Sequence, residues 1–158
     1  MDLPKLSIAA LGGTVSMQAN NAGEGVIPTV SGEALLTSIP ELKTLAAVTV
    51  ETLGLLPSAS LDFEFLLNVL SWAEFQVEQG AVGVVIAQGT DTLEEAAVFL
   101  DYLWPYDTPL VLTGAMRSAA QPGADGPANL LDACRLALAQ NSRPASYTHL
   151  TLPTILRV

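Results

Sequence analysis

The sequence predicts an α/β protein built on a doubly wound, mostly parallel sheet, on three observations. Four apolar runs rich in Val, Ile and Leu, residues 6–11, 46–53, 82–87 and 110–113, are bounded by turn residues and read as strands covered on both faces. Segments of helical period, 32–38, 63–79, 93–103 and 127–140, follow them in turn, and a β-α-β-α alternation favours parallel strands joined by right-handed crossovers. The chain has 158 residues, 50% of them hydrophobic and 14% charged, enough for one buried core.

The first strand ends in Leu11-Gly12-Gly13-Thr14-Val15-Ser16-Met17, where paired glycines allow a tight turn and a close backbone approach. That segment by itself fits an ordinary surface turn. Residues 46–53 make the second strand, followed by Pro57-Ser58-Ala59-Ser60-Leu61-Asp62. The helix at 63–79 repeats Phe63, Leu66, Leu67, Leu70, Ala73 and Val77 at steps of three and four, which places them on its buried face. The third strand opens into Gln88-Gly89-Thr90-Asp91-Thr92-Leu93-Glu94-Glu95. A hydroxyl, a carboxylate and a helix amino terminus meet there, although Asp91 or Thr92 could equally serve only as a helix cap. The fourth strand leads to Leu112-Thr113-Gly114-Ala115-Met116-Arg117, and a Gly-Pro step at Gly126-Pro127 starts the last helix. Ligands of doubly wound sheets bind at the carboxyl ends of the strands, so these loops are where a site is expected.

Charge and composition narrow the function. Six Lys+Arg against sixteen Asp+Glu give a formal charge of -10, which repels nucleic-acid phosphates and anionic membranes. Met1-Asp2-Leu3-Pro4-Lys5 carries no basic leader and no apolar run nears the roughly 20 residues of a membrane helix; a cytoplasmic location is expected. Cys134 is the only cysteine and lies among Leu130, Leu131, Ala133 and Leu138, as a buried thiol would. A dinucleotide site would need G-x-G-x-x-G after the first strand, and Gly12-Gly13-Thr14-Val15-Ser16-Met17 does not supply it. The tail differs from the rest. All sixteen acidic residues lie at or before Asp132, and from Arg143 onward RPASYTHLTLPTILRV has no acid, two prolines and the only histidine, His149. It shows no clear period, so residues 1–142 are read as the α/β domain and 143–158 as a tail foreign to the fold, with an open sheet edge behind it. His149 accordingly gets little weight as a base.

Taken together, LGGTVSM, VIPTVSGEALLTSIPEL, AQGTDTLEEAAVFL and PLVLTGAMRSAAQPGADGPANLLDA resemble the bacterial-type asparaginase family in order, spacing and strand position. The resemblance runs from Lys5 to about Ala139. It implies a flavodoxin-like or Rossmann-like amino-terminal domain of an amidohydrolase, with the family's smaller second domain absent from this sequence. It further implies release of aspartate and ammonia from L-asparagine without metal or organic cofactor, and a homo-oligomeric full-length form. By position, Thr14 matches the family nucleophile and Thr90 the second essential threonine. Asp91 matches the carboxylate that binds the substrate ammonium, and Ser58, rather than Ser60, the residue that holds its carboxylate. Backbone N–H groups around Gly89 and Thr90 are candidate oxyanion donors.

The sequence also departs from the family. The family's lysine partner of the second threonine has no counterpart, since the only lysines are Lys5 and Lys43. No tyrosine stands in Asn20-Asn21-Ala22-Gly23-Glu24-Gly25-Val26-Ile27, and Ala59 replaces a glutamine found in some relatives. Family members complete each site with an acidic residue from a neighbouring subunit. This chain alone is therefore expected to be inactive. The alternatives are a glutaminase, the ammonia-producing subunit of a tRNA-dependent amidotransferase, or a noncatalytic amino-acid-binding domain.

Overall fold

The computed structural model describes residues 2–13, 17–18, 27–28, 37, 39–117, 121–139, 142 and 149–151. The main sheet joins β1 (Lys5–Ala10), β4 (Ala47–Thr52), β5 (Gly83–Ala87), β6 (Leu110–Thr113) and β7 (His149–Thr151) in the order β4-β1-β5-β6-β7. Every pairing in it is parallel. Two short strands, β2 (Met17–Gln18) and β3 (Ile27–Pro28), form a separate antiparallel pair. Counted along the sheet's own strands the order is 2-1-3-4-5, the flavodoxin-like arrangement rather than the dinucleotide-binding one.

Alternation along β1 explains how the sheet is covered twice. Leu6, Ile8 and Ala10 join Val85, Val111, Leu130, Ala133 and Cys134 in one core. Ala9 and Leu11 point the other way and join Val84, Ile86, Leu112 and residues of two further helices. The helices of the first layer are α1 (Leu42–Leu45) and α4 (Gly126–Leu138); those of the second are α2 (Phe63–Glu78) and α3 (Leu93–Leu103). Each β1 residue from Leu6 to Ala10 is buried, and β5 is buried throughout, as strands with helices on both faces must be. Gly83 permits the close seating of α4: a Cβ there would sit 2.6 Å from the Ala137 carbonyl oxygen. Cys134, on the sheet-facing side of α4, is wholly buried, and burial pushes its thiol up to about 12.

Two expectations change. Helix α2 buries Leu66, Val69, Leu70 and Ala73; Phe63 and Leu67 are 70% and 46% exposed. Phe63 instead lies against Phe99 of α3, ring centres 5.1 Å apart, so its partner is a neighbouring helix rather than the sheet. The edge expected to stay open beside β6 carries β7, with Val111, Leu112 and Thr113 registered on His149, Leu150 and Thr151. A three-residue strand is too short to show alternation in a sequence. Helix α1 was not foreseen for the same reason of length. The helix expected at 32–38 falls almost wholly outside the described residues.

Candidate active site

The 2-1-3-4-5 order reverses direction between β1 and β5, and such a switch point, at the carboxyl ends of the strands, is where doubly wound sheets place their ligand crevice. Glycine is what lets these loops meet. Gly13, at φ +78, is packed so tightly that a Cβ would lie 2.3 Å from the Cα and N of Gly89. Gly12, at φ +113, would similarly place a Cβ 2.6 Å from the Leu56 backbone, in the loop that follows β4. No side chain fits at either point, and the left-handed φ angles disfavour one as well. Thr14, the expected nucleophile, lies outside the described residues, immediately after this contact.

The loop after β4 enters from beneath. A single 3₁₀ turn, Ser58–Ser60, buries Ser58. Its Oγ accepts the Asp91 N–H at 3.1 Å, and its carbonyl oxygen accepts the Thr92 hydroxyl at 3.0 Å. Gly89 lies over it, where a Cβ would meet Ser58 Oγ at 2.8 Å. The Ser58 hydroxyl thus keeps its own proton to donate while bracing the 89–92 turn. Ser60 is exposed and its N–H is bound to Pro57 O at 2.9 Å, so Ser58 is the serine of this turn that contacts the 89–92 loop. Thr92 is the residue before α3, yet its side chain makes no capping bond to that helix; the plain capping role considered for it is not the one it fills.

Gln88, wholly buried, supports the same turn from the strand end. Its Nε2 lies 3.4 Å from Gly89 O and 3.5 Å from Thr92 O, and its Oε1 has no partner among the described residues. Thr90 is half-buried and Asp91 exposed at the rim. Ser58, Gly89, Thr90 and Asp91 are therefore brought together, with Gly13 against them. An exposed carboxylate beside a hydroxyl at a strand end can bind an ammonium group and present an oxygen to a carbonyl carbon.

Sequence reasoning passed over the fourth side of the site. Asp125 precedes α4 but does not cap it. Its carboxylate reaches back across the loop to accept Met116 N–H at 3.1 Å and Arg117 N–H at 2.9 Å. Asn129 Nδ2 donates to Gly114 O at 2.9 Å and approaches Asp125 Oδ2 at 3.4 Å. Burial pushes the Asp125 carboxyl up, but the backbone N–H groups of Arg117, Met116 and Asp125 itself, with the Asn129 amide, outweigh it and hold the group below its ordinary value. An Asp before Gly-Pro is the available signal, and on its own it reads only as a helix start.

The two lysines are placed elsewhere. Lys5 stands at the amino end of β1 and donates from Nζ to Gln79 O at 3.1 Å; Lys43 is exposed on α1. Among the described residues, no group of three or more His, Cys, Asp or Glu could hold a metal ion. No helix of the described residues is long and apolar enough to cross a membrane. An open hollow lined by Lys5, Ser7, Thr49 and Gln76 lies at the opposite ends of the strands; it pairs no nucleophile with a carboxylate.

A family model described as "Asparaginase, N-terminal" matches residues 5–148. The chain belongs to the asparaginase family. It is 34% identical over 146 residues to L-asparaginase 2 of Bacillus subtilis, covering 90% of this chain and 39% of that protein. It is 30% identical over 136 residues to a glutamyl-tRNA(Gln) amidotransferase subunit of Methanosarcina acetivorans, covering 86% of this chain and 32% of that one. The crystal structure of a probable cytoplasmic L-asparaginase from Campylobacter jejuni superimposes with a TM-score of 0.82 at 30% identity, covering 89% of this chain and 43% of the other. This asparaginase-family chain thus spans about two fifths of the length of the asparaginases it matches.

Proposed function

We propose that this chain is the amino-terminal, catalytic-loop-bearing part of an L-asparagine amidohydrolase. The observation that carries the reading is the contact of Gly13 with Gly89, which brings the residue before Thr14 against the residue before Thr90. In this reading the Thr14 hydroxyl attacks the side-chain amide carbon, its proton passes to the leaving nitrogen, and ammonia departs. Water then cleaves the threonyl ester to give aspartate. Thr90 activates the attacking oxygen, Asp91 binds the α-ammonium and the Ser58 proton meets the α-carboxylate. A small amino-acid substrate, a homo-oligomeric complete form and a cytoplasmic location belong to the same proposal, the last on the description of the Campylobacter jejuni structure alone.

The Methanosarcina acetivorans relative supports a second reading, in which L-glutamine is the amide and the ammonia is handed to an acceptor. Ammonia release from L-asparagine and L-glutamine, measured on this chain and on the longest open coding sequence containing it, separates the two. Preference for asparagine, lost on the order of 100-fold or more in Thr90→Ala, is expected. Release from glutamine alone moves the assignment to the second reading. Aspartate binding without turnover in either form would reduce the site to an amino-acid receptor.

A further inference from the structure

We infer that Asn129, fastened by Asp125, is a positioning residue for Thr90 and acts through the peptide of Gly114. The inference rests on reading Thr90 as a catalytic hydroxyl and goes beyond it, because the bonds of Asn129 and Asp125 go to the backbone of the loop after β6.

The chain of contacts is short. Thr90 Cγ2 lies where a Gly114 side chain would be, 2.8 Å from the Cβ position, with Gln88 O at 3.0 Å and Leu93 Cδ2 at 3.8 Å. The backbone of Gly114 has no left-handed φ, so glycine is required there by the Thr90 methyl and not by backbone conformation. A β-branched side chain has few χ1 choices; a seat for its methyl therefore also fixes the direction of its hydroxyl. The seat is itself held: Asn129 Nδ2 binds Gly114 O at 2.9 Å, and Asp125 accepts the N–H groups of Met116 and Arg117 at 3.1 and 2.9 Å. All these bonds join α4 to the loop after β6. A polar side chain in the first turn of a helix ordinarily serves that helix. Here Asp125 and Asn129 both turn to the loop, as a purely local role would not require.

The test reads the Thr90 rotamer directly, from three-bond couplings of the threonine γ-methyl to the backbone N and C′ in isotope-labelled chain. Wild type is expected to show one rotamer. Asn129→Ala, which unfastens the peptide, and Gly114→Ala, which fills the seat, are each expected to average or switch it; they act on different contacts, so either suffices if the other fails to fold. In the longest coding sequence containing this chain, Asn129→Ala is expected to lower kcat on the order of tenfold to a hundredfold with KM within about twofold, the signature of a misaimed group rather than lost binding. Asn129→Asp, which restores an oxygen but not the donor, should not rescue. Couplings unchanged in both variants, or an unchanged kcat in Asn129→Ala, overturn the positioning role. A rotamer that moves in a protein with no amidohydrolase activity even as wild type leaves the positioning standing and sinks the functional reading instead.

Discussion

Helix α2 and helix α4 begin with the same residue type and use it in opposite ways. Asp62 accepts the Phe65 N–H of its own helix at 2.8 Å, a cap within α2. Asp125 leaves α4 uncapped and binds the loop after β6. Thr92, before α3, does likewise and binds Ser58 O. The helices that flank the crevice forgo local capping, worth about 1 kcal/mol each, for contacts that hold loops of the site. A structure that gives up local stability at particular residues marks where geometry matters more than helix strength.

The largest effect that could break this contrast concerns two glycines of positive φ. Gly13 at φ +78 touches Gly89, whereas Gly80 at φ +91, after the end of α2, would place a Cβ no nearer than 3.9 Å to Lys5 Nζ. Gly80→Ala then meets only the backbone penalty, about 1 kcal/mol. Gly13→Ala adds an overlap that must be relieved by moving the β5 loop, for a total of about 3 kcal/mol. Urea midpoints of the two variants check the difference; equal losses would mean that the loop contact is loose and the crevice less closely built than described.

A smaller pair of changes compares the caps themselves. Asp62→Ala should lower stability by about 1 kcal/mol and leave amide exchange at Asp91 as in wild type. Thr92→Val keeps the shape, removes one hydroxyl and leaves Ser58 O without it, for a similar loss, but should speed exchange of the Asp91 N–H that Ser58 Oγ accepts. If Asp62→Ala disturbed Asp91 as much, the two helix starts would not differ in kind.

The sheet was legible because a doubly covered strand must be apolar along its whole length: residues 6–11 and 82–87 announce themselves, and the order of helices between strands fixes parallel crossovers. The face of α2 was less legible. Its apolar residues run nearly all round, so Phe63 and Leu67 fitted the period as well as Val69, and only the neighbouring α3 decides between them. Thr90 and Asp91 stood out because they follow a buried strand directly. Ser58 could be chosen over Ser60 only by family resemblance, since the sequence does not reveal which serine of a one-turn helix faces inward. Asp125 and Asn129 were missed because their partners lie eight to fifteen residues away across a loop, a separation at which no local period carries a signal.

The smallest predicted effect tests Asp125 by pH. Its carboxyl is held below the ordinary value in the folded chain, so the folded state favours the charged form. The stabilisation is therefore complete above the unfolded carboxyl's range and fades as pH falls through that range and on below the folded value. Asp125→Asn cannot accept both N–H groups with charge, and should be less stable than wild type by about 1 kcal/mol or less near neutrality, as suits hydrogen bonds at a largely exposed carboxylate. The gap should close as the pH drops below the ordinary carboxylate range. Asp62, which caps α2, offers the matched control in Asp62→Asn, because an Asn side chain keeps a single accepted N–H bond; its gap should be smaller near neutrality. A gap for Asp125→Asn that persists unchanged in acid would show that shape and not charge fastens the loop, and the latch would then rest on Asn129 alone.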